Sequence, residues 1–222
     1  MKVVEIYKKY NLMPNLQLHL KRVAAVSQLI VDNFDLPVNK ENIVTACLLH
    51  DIGNIIKFKL KLFPNFLEPE GYEYWRKVQN NYIEKYGDDE HLASKMICKE
   101  LGINNEIISI IECIGFRKVK SNVDTKNYDI KISAYSDTRV SITGIKSQKE
   151  RWSEARPRYV KNKGKQMPIE DKAYEQHIAW HAELEQQIFK HCRIKPENIN
   201  DKSAQKLVES FDEYEIKTNI VT

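Results

Sequence analysis

The sequence predicts an all-α fold, a helical bundle with a C-terminal helical extension. Three observations carry this. Apolar residues recur at three- and four-residue steps over long stretches. Asn, Asp and Pro stand where helix starts need them. Glycine and proline number only 7 each in 222 residues, too few for the repeated tight turns of a sandwich or propeller. A chain of this length buries a core without disulfides or a structural metal.

The elements follow in order. Leu16, Leu20, Val23 and Ile30 form one stripe, so Pro14 to Phe34 is a predicted helix, with Pro14 at a tolerated early position. Asp35-Leu36-Pro37 ends it. Asn39 caps a second helix that runs through Ile43, Ala46, Cys47 and Leu48 to His50, and Gly53 loosens its end. Residues 55 to 86 read as a loop plus a helix rich in Tyr72, Tyr74, Trp75, Tyr82 and Tyr86. That helix either roofs a cleft as a lid or packs its aromatics on the core. Asp88 caps a helix from Asp89 to Leu101, stopped by Gly102. Asn104 caps the next, Asn105 to Ile114, stopped by Gly115. Residues 117 to 128 read as a loop, and Ile130 to Ile142 as an apolar helix. Pro168 opens a long helix to about Cys192, and Lys202 to Tyr214 is a last one. Residues 1–145 are expected to form the main helical domain. Residues 146–222 are expected to pack on the same body.

Composition narrows the function. Lys and Arg exceed Asp and Glu by 35 − 31 = 4, a mild balance that does not imply nucleic acid. Cys47, Cys98, Cys113 and Cys192 form no CxxC pair and read as reduced thiols. The first ten residues lack an apolar core of signal-peptide length, and Val23 to Val31 is too short to span a bilayer. A cytoplasmic location is expected. Lys146, Lys149, Arg151, Arg156, Arg158, Lys161, Lys163 and Lys165 make a basic run. With only Trp152 and Tyr159 as stacking platforms, a solvated face or a positive flap at a phosphate site is favoured over a nucleic-acid partner. His177 and His181 are one helical turn apart, but Ile178 stands where a metalloprotease needs Glu, so they read as packing histidines.

Four residues stand out together. His19 interrupts an apolar helix, His50-Asp51 ends another, and Asp137 interrupts a third apolar stretch. A carboxylate there is expensive to bury unpaired, and one shared divalent cation would satisfy all four. Two imidazoles and two carboxylates suit iron, manganese, cobalt, magnesium or zinc.

The contexts His19-Leu-Lys-Arg22, Leu48-Leu-His50-Asp51-Ile-Gly53 and Ser136-Asp137-Thr-Arg139 resemble the H…HD…D pattern of the HD-domain metal-dependent phosphohydrolase superfamily. The resemblance spans about residues 12 to 145. The stretch from Ile145 to Arg156 also looks like the helix that follows the last aspartate in some members. The resemblance implies an all-helical fold with His19, His50, Asp51 and Asp137 as metal ligands. It implies hydrolysis of a small phosphorylated substrate, a nucleotide or dinucleotide, by a metal-activated water. Asp51 and His91 would be catalytic, and Arg22, Lys57 and Arg139 would contact the phosphate. Two positions depart from the pattern. Asn54 stands where several families have Lys or Glu, and Cys113 where two-metal members have His. The missing histidine at Cys113 favours one metal over two. Both departures keep open a catalytically silent helical module that binds nucleotide, RNA or a protein partner.

Overall fold

The computed structural model describes residues 1–160 and 169–218. Its helices are α1 (Val3–Lys9), α2 (Pro14–Val31), α3 (Lys40–Leu49), α4 (Tyr72–Tyr86), α5 (Glu90–Glu100), α6 (Asn105–Ile111), α7 (Val119–Asp124), α8 (Tyr128–Thr138), α9 (Gln148–Val160), α10 (Asp171–Phe189) and α11 (Asp201–Ser210). Side chains set many of the boundaries. Asn39, Asp89, Asn104, Asn127 and Asn200 each accept a backbone N–H in the first turn of α3, α5, α6, α8 and α11, which satisfies donors the helix itself cannot. Pro14 sits in the first turn of α2.

Helix α2 is the central element. It packs against α3, α8 and α11. Helix α3 also meets α6 and α8, and α10 packs across α7, α8 and α9. One buried cluster joins Val3, Leu20, Leu48 and Ile97 to Leu184, Ile188, Ala204 and Ile216, so the C-terminal helices share the core of the first 145 residues. Val3 N–H donates to the Tyr214 carbonyl, and Ile216 N–H to Met1. A second, smaller cluster gathers Phe116, Trp152, Ala155, Ile169 and Tyr174 under α9 and α10.

The structure revises several boundaries. Asp89, not Asp88, caps α5, and α6 stops at Ile111. The expected loop at 117–128 contains α7. The apolar stretch 130–142 does not stay helical: α8 ends at Thr138, and Val140–Ser141 (β1) pairs antiparallel with Gly144–Ile145 (β2). Gly144 makes this turn at φ 132°. The lid reading of the 55–86 segment is also corrected. Trp75, Val78, Tyr82 and Tyr86 are buried, Trp75 Nε1 donates to the Leu67 carbonyl, and Tyr82 Oη donates to Tyr10. Gln79 further ties α4 to the carbonyls of Ile55 and Phe58. The helix is a fixed buttress. The expectations on Lys161, Lys163, Lys165, Pro168 and the Arg158 side chain lie outside the described residues.

Gly53 does more than loosen a helix end. A Cβ built there would lie 2.7 Å from the Glu90 carbonyl oxygen and 2.8 Å from Ala93 Cβ, and Gly53 N–H donates to Ser94 Oγ at 3.0 Å. The His50-Asp51 turn is thus pressed directly onto α5. Gly53→Ala is expected to cost about 1–3 kcal/mol by overpacking, read from the urea midpoint at unchanged m-value.

Candidate metal centre

Three helices place the polar cluster. His19 lies mid-way along α2, His50 is the C-terminal cap of α3 with Asp51 next in sequence, and Asp137 lies in the last turn of α8. Where α3 ends, its carbonyls lose their helical partners. Two are recovered locally: His50 Nδ1 donates to the Cys47 carbonyl at 2.9 Å, and Tyr7 Oη to Leu48 at 2.9 Å. The first bond fixes the His50 ring and leaves Nε2 facing the cluster.

One ligand atom each from His19, His50 and Asp51 lie within 4.8 Å of one another. Asp137 Oδ1 is 3.3 Å from His19 Nε2 and 3.4 Å from His50 Nε2. Asp51 Oδ2 is 4.0 Å and 3.8 Å from the same two nitrogens. His50 is 4% exposed, and its Nε2 is buried without a hydrogen-bond partner. Such an atom needs an explanation. A cation bound between the carboxylates and imidazoles provides one, and the donor set suits a divalent ion.

The electrostatics point the same way. Burial works against charge on His50, but the Asp51 and Asp137 carboxylates outweigh it and lift its pKa to about 9. Burial likewise opposes ionisation of Asp137, yet the His19 and His50 imidazoles beside it hold its carboxyl well below the usual range. Asp51 is lowered too, against its own burial, by His50 and Lys57. The field that holds a proton on His50 is the field a divalent cation would use, so the two compete. Apparent Mn²⁺ affinity is expected to tighten about tenfold per unit between roughly pH 6 and pH 8 and to level off near His50's pKa of about 9. Calorimetric titration in buffers of different ionisation heat counts the released proton. A flat pH profile with no proton released would remove His50 from the ligand set.

The remaining expected residues are placed unevenly. Lys57 Nζ lies 3.2 Å from Glu90 Oε1 with the side chain 40% exposed. Burial opposes its charge, but Asp51 and Glu90 prevail and raise its pKa. His91 lies outside the ligand cluster, half exposed, with Nε2 3.7 Å from Glu90 Oε1. It lines a cleft of about 270 Å³ together with His50, Asp89, Leu92, Lys95, Ile111, Glu112 and Lys118. Arg22 Nε pairs with Asp201 at 3.3 Å.

Arg139 corrects an expectation. It is 2% exposed, and most of its guanidinium is committed elsewhere. Nε donates to the Lys146 carbonyl, Nη1 to Tyr135 Oη, and Nη2 to the carbonyls of Pro196 and Ile199. It ties the β-hairpin to the turn before α11 with four of its five N–H donors.

Three residues escaped the sequence reading. Asn54, taken as a departure, donates from Nδ2 to Asp51 Oδ2 at 2.7 Å and orients that carboxylate. Lys95 and Lys118 bring positive charge to the cleft beside His50. Lys95 stands one turn after His91 on α5, which is a readable signal. Lys118 carries none. The basic run is not one face: Arg151 turns inward, and Arg156 pairs with Asp171 and Glu175 on α10. Among the described residues no helix is long and apolar enough to cross a membrane, and the four cysteines are free thiols.

A family model described as "HD domain" matches residues 17–198, which extends beyond the last aspartate through α9 and α10. No curated protein and no solved structure matches the chain.

Proposed function

The chain belongs to the HD-domain family, and from that premise we propose that it is a metal-dependent phosphohydrolase acting on a small phosphate ester, a nucleotide or dinucleotide. The observation that carries the reading is the buried His50 Nε2, which makes no hydrogen bond and faces two carboxylates and a second imidazole.

His19, His50, Asp51 and Asp137 would hold one divalent cation. Iron, manganese, cobalt, magnesium and zinc are all compatible with that set. Bound there, the ion supplies an acidified water at neutral pH and draws charge from a phosphate oxygen. The chain's own groups do the rest. Cys47 and Asn54 hold His50 and Asp51 in place, so the site is preorganised. Asp51 stays ionised and orients the water that attacks phosphorus. Lys95 and Lys118 line the cleft alongside Asp89 and Glu112, and Lys57 pairs with Glu90; the three ammonium groups would meet the charge of an anionic substrate. Arg22 can exchange Asp201 for a phosphate oxygen. His91 presents an exposed imidazole to the cleft, placed to donate a proton to the leaving oxygen.

The test is elemental analysis of the purified chain, paired with hydrolysis of a nucleotide and dinucleotide panel in added manganese. About one metal per chain with turnover of a panel member is the expected result. A folded protein that stays metal-free and inert after manganese addition would leave a non-catalytic binding module instead.

A further inference from the structure

The inward face of α9 packs against α10 rather than against the ligand helices α2 and α3. Gln148, Arg151, Trp152 and Ala155 recur at helical spacing on that face. Ala155 is fully buried, Trp152 is 4% exposed and Gln148 is 8% exposed. Three of these side chains carry buried donors with no partner among the described residues: Gln148 Nε2, Arg151 Nη1 and Trp152 Nε1. Opposite them on α10, His181 is 1% exposed, and neither ring nitrogen finds a hydrogen bond of good geometry. The Trp152 and His181 rings lie 4.3 Å apart.

Buried donors without acceptors are destabilising, and folded proteins seldom keep several in one place without a reason. The orphaned atoms on α9 are all donors, and one belongs to a guanidinium. Together they form a complement to an oxygen-rich anion. The position is fixed, because Arg151 Nε is anchored on the Val140 carbonyl at 3.1 Å. Val140 follows Asp137 by three residues. The Arg151 anchor thus lies just past the Asp137 end of α8. Burial drives the His181 pKa down to about 3, which leaves it neutral, with one ring nitrogen a donor and the other an acceptor. Arg139, the arginine the sequence offered for phosphate contact, is buried and spends four of its five donors on the turn before α11, the hairpin and Tyr135.

We propose that Gln148, Arg151 and Trp152, with His181 behind them, form the oxyanion-binding wall of the substrate site and hold a phosphoryl oxygen of the phosphate ester. The proposal rests on the phosphohydrolase reading for its ligand, not for its geometry. Arg151 supplies the charge, and Gln148 and Trp152 set the direction.

The test uses the full chain labelled with ¹⁵N at the tryptophan indoles, with Trp152→Phe to assign the Trp152 signal. The probes are inorganic phosphate and adenosine 5′-monophosphate, each titrated with and without magnesium. The Trp152 indole proton is expected to move downfield and saturate. Arg151→Gln should weaken that binding at least tenfold, with Arg151→Lys recovering part of it. Gln148→Glu keeps the test decisive if Arg151 variants fold poorly. Its carboxylate would pair with Arg151, raise the melting temperature of the ligand-free protein and abolish the phosphate response. A Trp152 signal that ignores both probes, or phosphate affinity unchanged in Gln148→Glu, overturns the proposal. The two readings fail separately. Phosphate binding at Trp152 without turnover of any ester upholds the wall and removes the hydrolase. Turnover with kcat/KM unchanged in Arg151→Gln removes the wall and leaves the hydrolase.

Discussion

Asp137→Asn is expected to leave the fold standing and remove both metal and activity. The amide has the shape of the carboxylate but not its charge. Asp137 Oδ1 lies within 3.4 Å of both imidazole Nε2 atoms, so its charge acts on both rings at once. Metal affinity should fall at least about 100-fold, because a ligand is lost as well as its field. Hydrolysis should fall at least about 10³-fold, a difference of about 4 kcal/mol in transition-state stabilisation. A third readout is independent of turnover. In the metal-free protein the His50 pKa, raised to about 9 in part by Asp137, should drop in the variant. The imidazole carbon protons report it by NMR. Unchanged His50 titration together with full metal content would show that Asp137 does not face these rings in solution.

Arg139→Ala is expected to have the largest effect on stability, about 3–5 kcal/mol. The guanidinium joins four acceptors from three parts of the chain, and its removal leaves buried carbonyls and Tyr135 Oη without a donor. Hydrogen bonds to charged groups contribute about 1.5–3 kcal/mol each, and their loss in a buried setting is at the upper end. For a chain of this size that corresponds to a fall in Tm of about 10 °C. Arg139→Lys should recover little, since an ammonium cannot reproduce the planar fork. Thermal unfolding of both variants decides it: a Tm within about 2 °C of the parent would mean that water serves these acceptors equally well.

The helices that hold the site were the most legible part of the sequence. In α2 and α3 a clear apolar stripe and a definite start, Pro14 or Asn39, act together. Short elements were not legible. Helix α7 spans only Val119–Asp124, too short for a periodic signal, and the β-hairpin hides in an apolar run because Val140, Ile142 and Ile145 suit a helix core as well as a strand. Between Asp88 and Asp89 only geometry selects the cap.

In the candidate site, the legible residues were those whose chemistry clashes with their surroundings. His19 and Asp137 interrupt apolar stretches, and a polar residue in such a place must find a partner. The direction of a side chain was not legible. Arg139 caps a helix C-terminus, and nothing in the sequence tells whether it turns to the cleft or to the turn before α11. Lys118 and Lys95 meet only because α5 and the turn after α6 are folded side by side. The orphaned donors of α9 sit in a run that reads as a solvated basic face until Gln148 and Trp152 are found buried.

The position of α2 has a kinetic consequence. His19, His50 and Asp51 fall within 33 residues of sequence (51 − 19 + 1), so α2 and α3 can meet early through a short closure. Asp137 arrives 86 residues later than Asp51 (137 − 51), and α11, which covers another face of α2, comes later still. Contacts of such long separation slow folding, because the loop entropy is lost before the contact rewards it. The short separation therefore favours early pairing of α2 with α3, which would bring three of the four polar groups together while one flank of α2 is still bare. That flank is the part of the chain a folding helper would have most reason to shield.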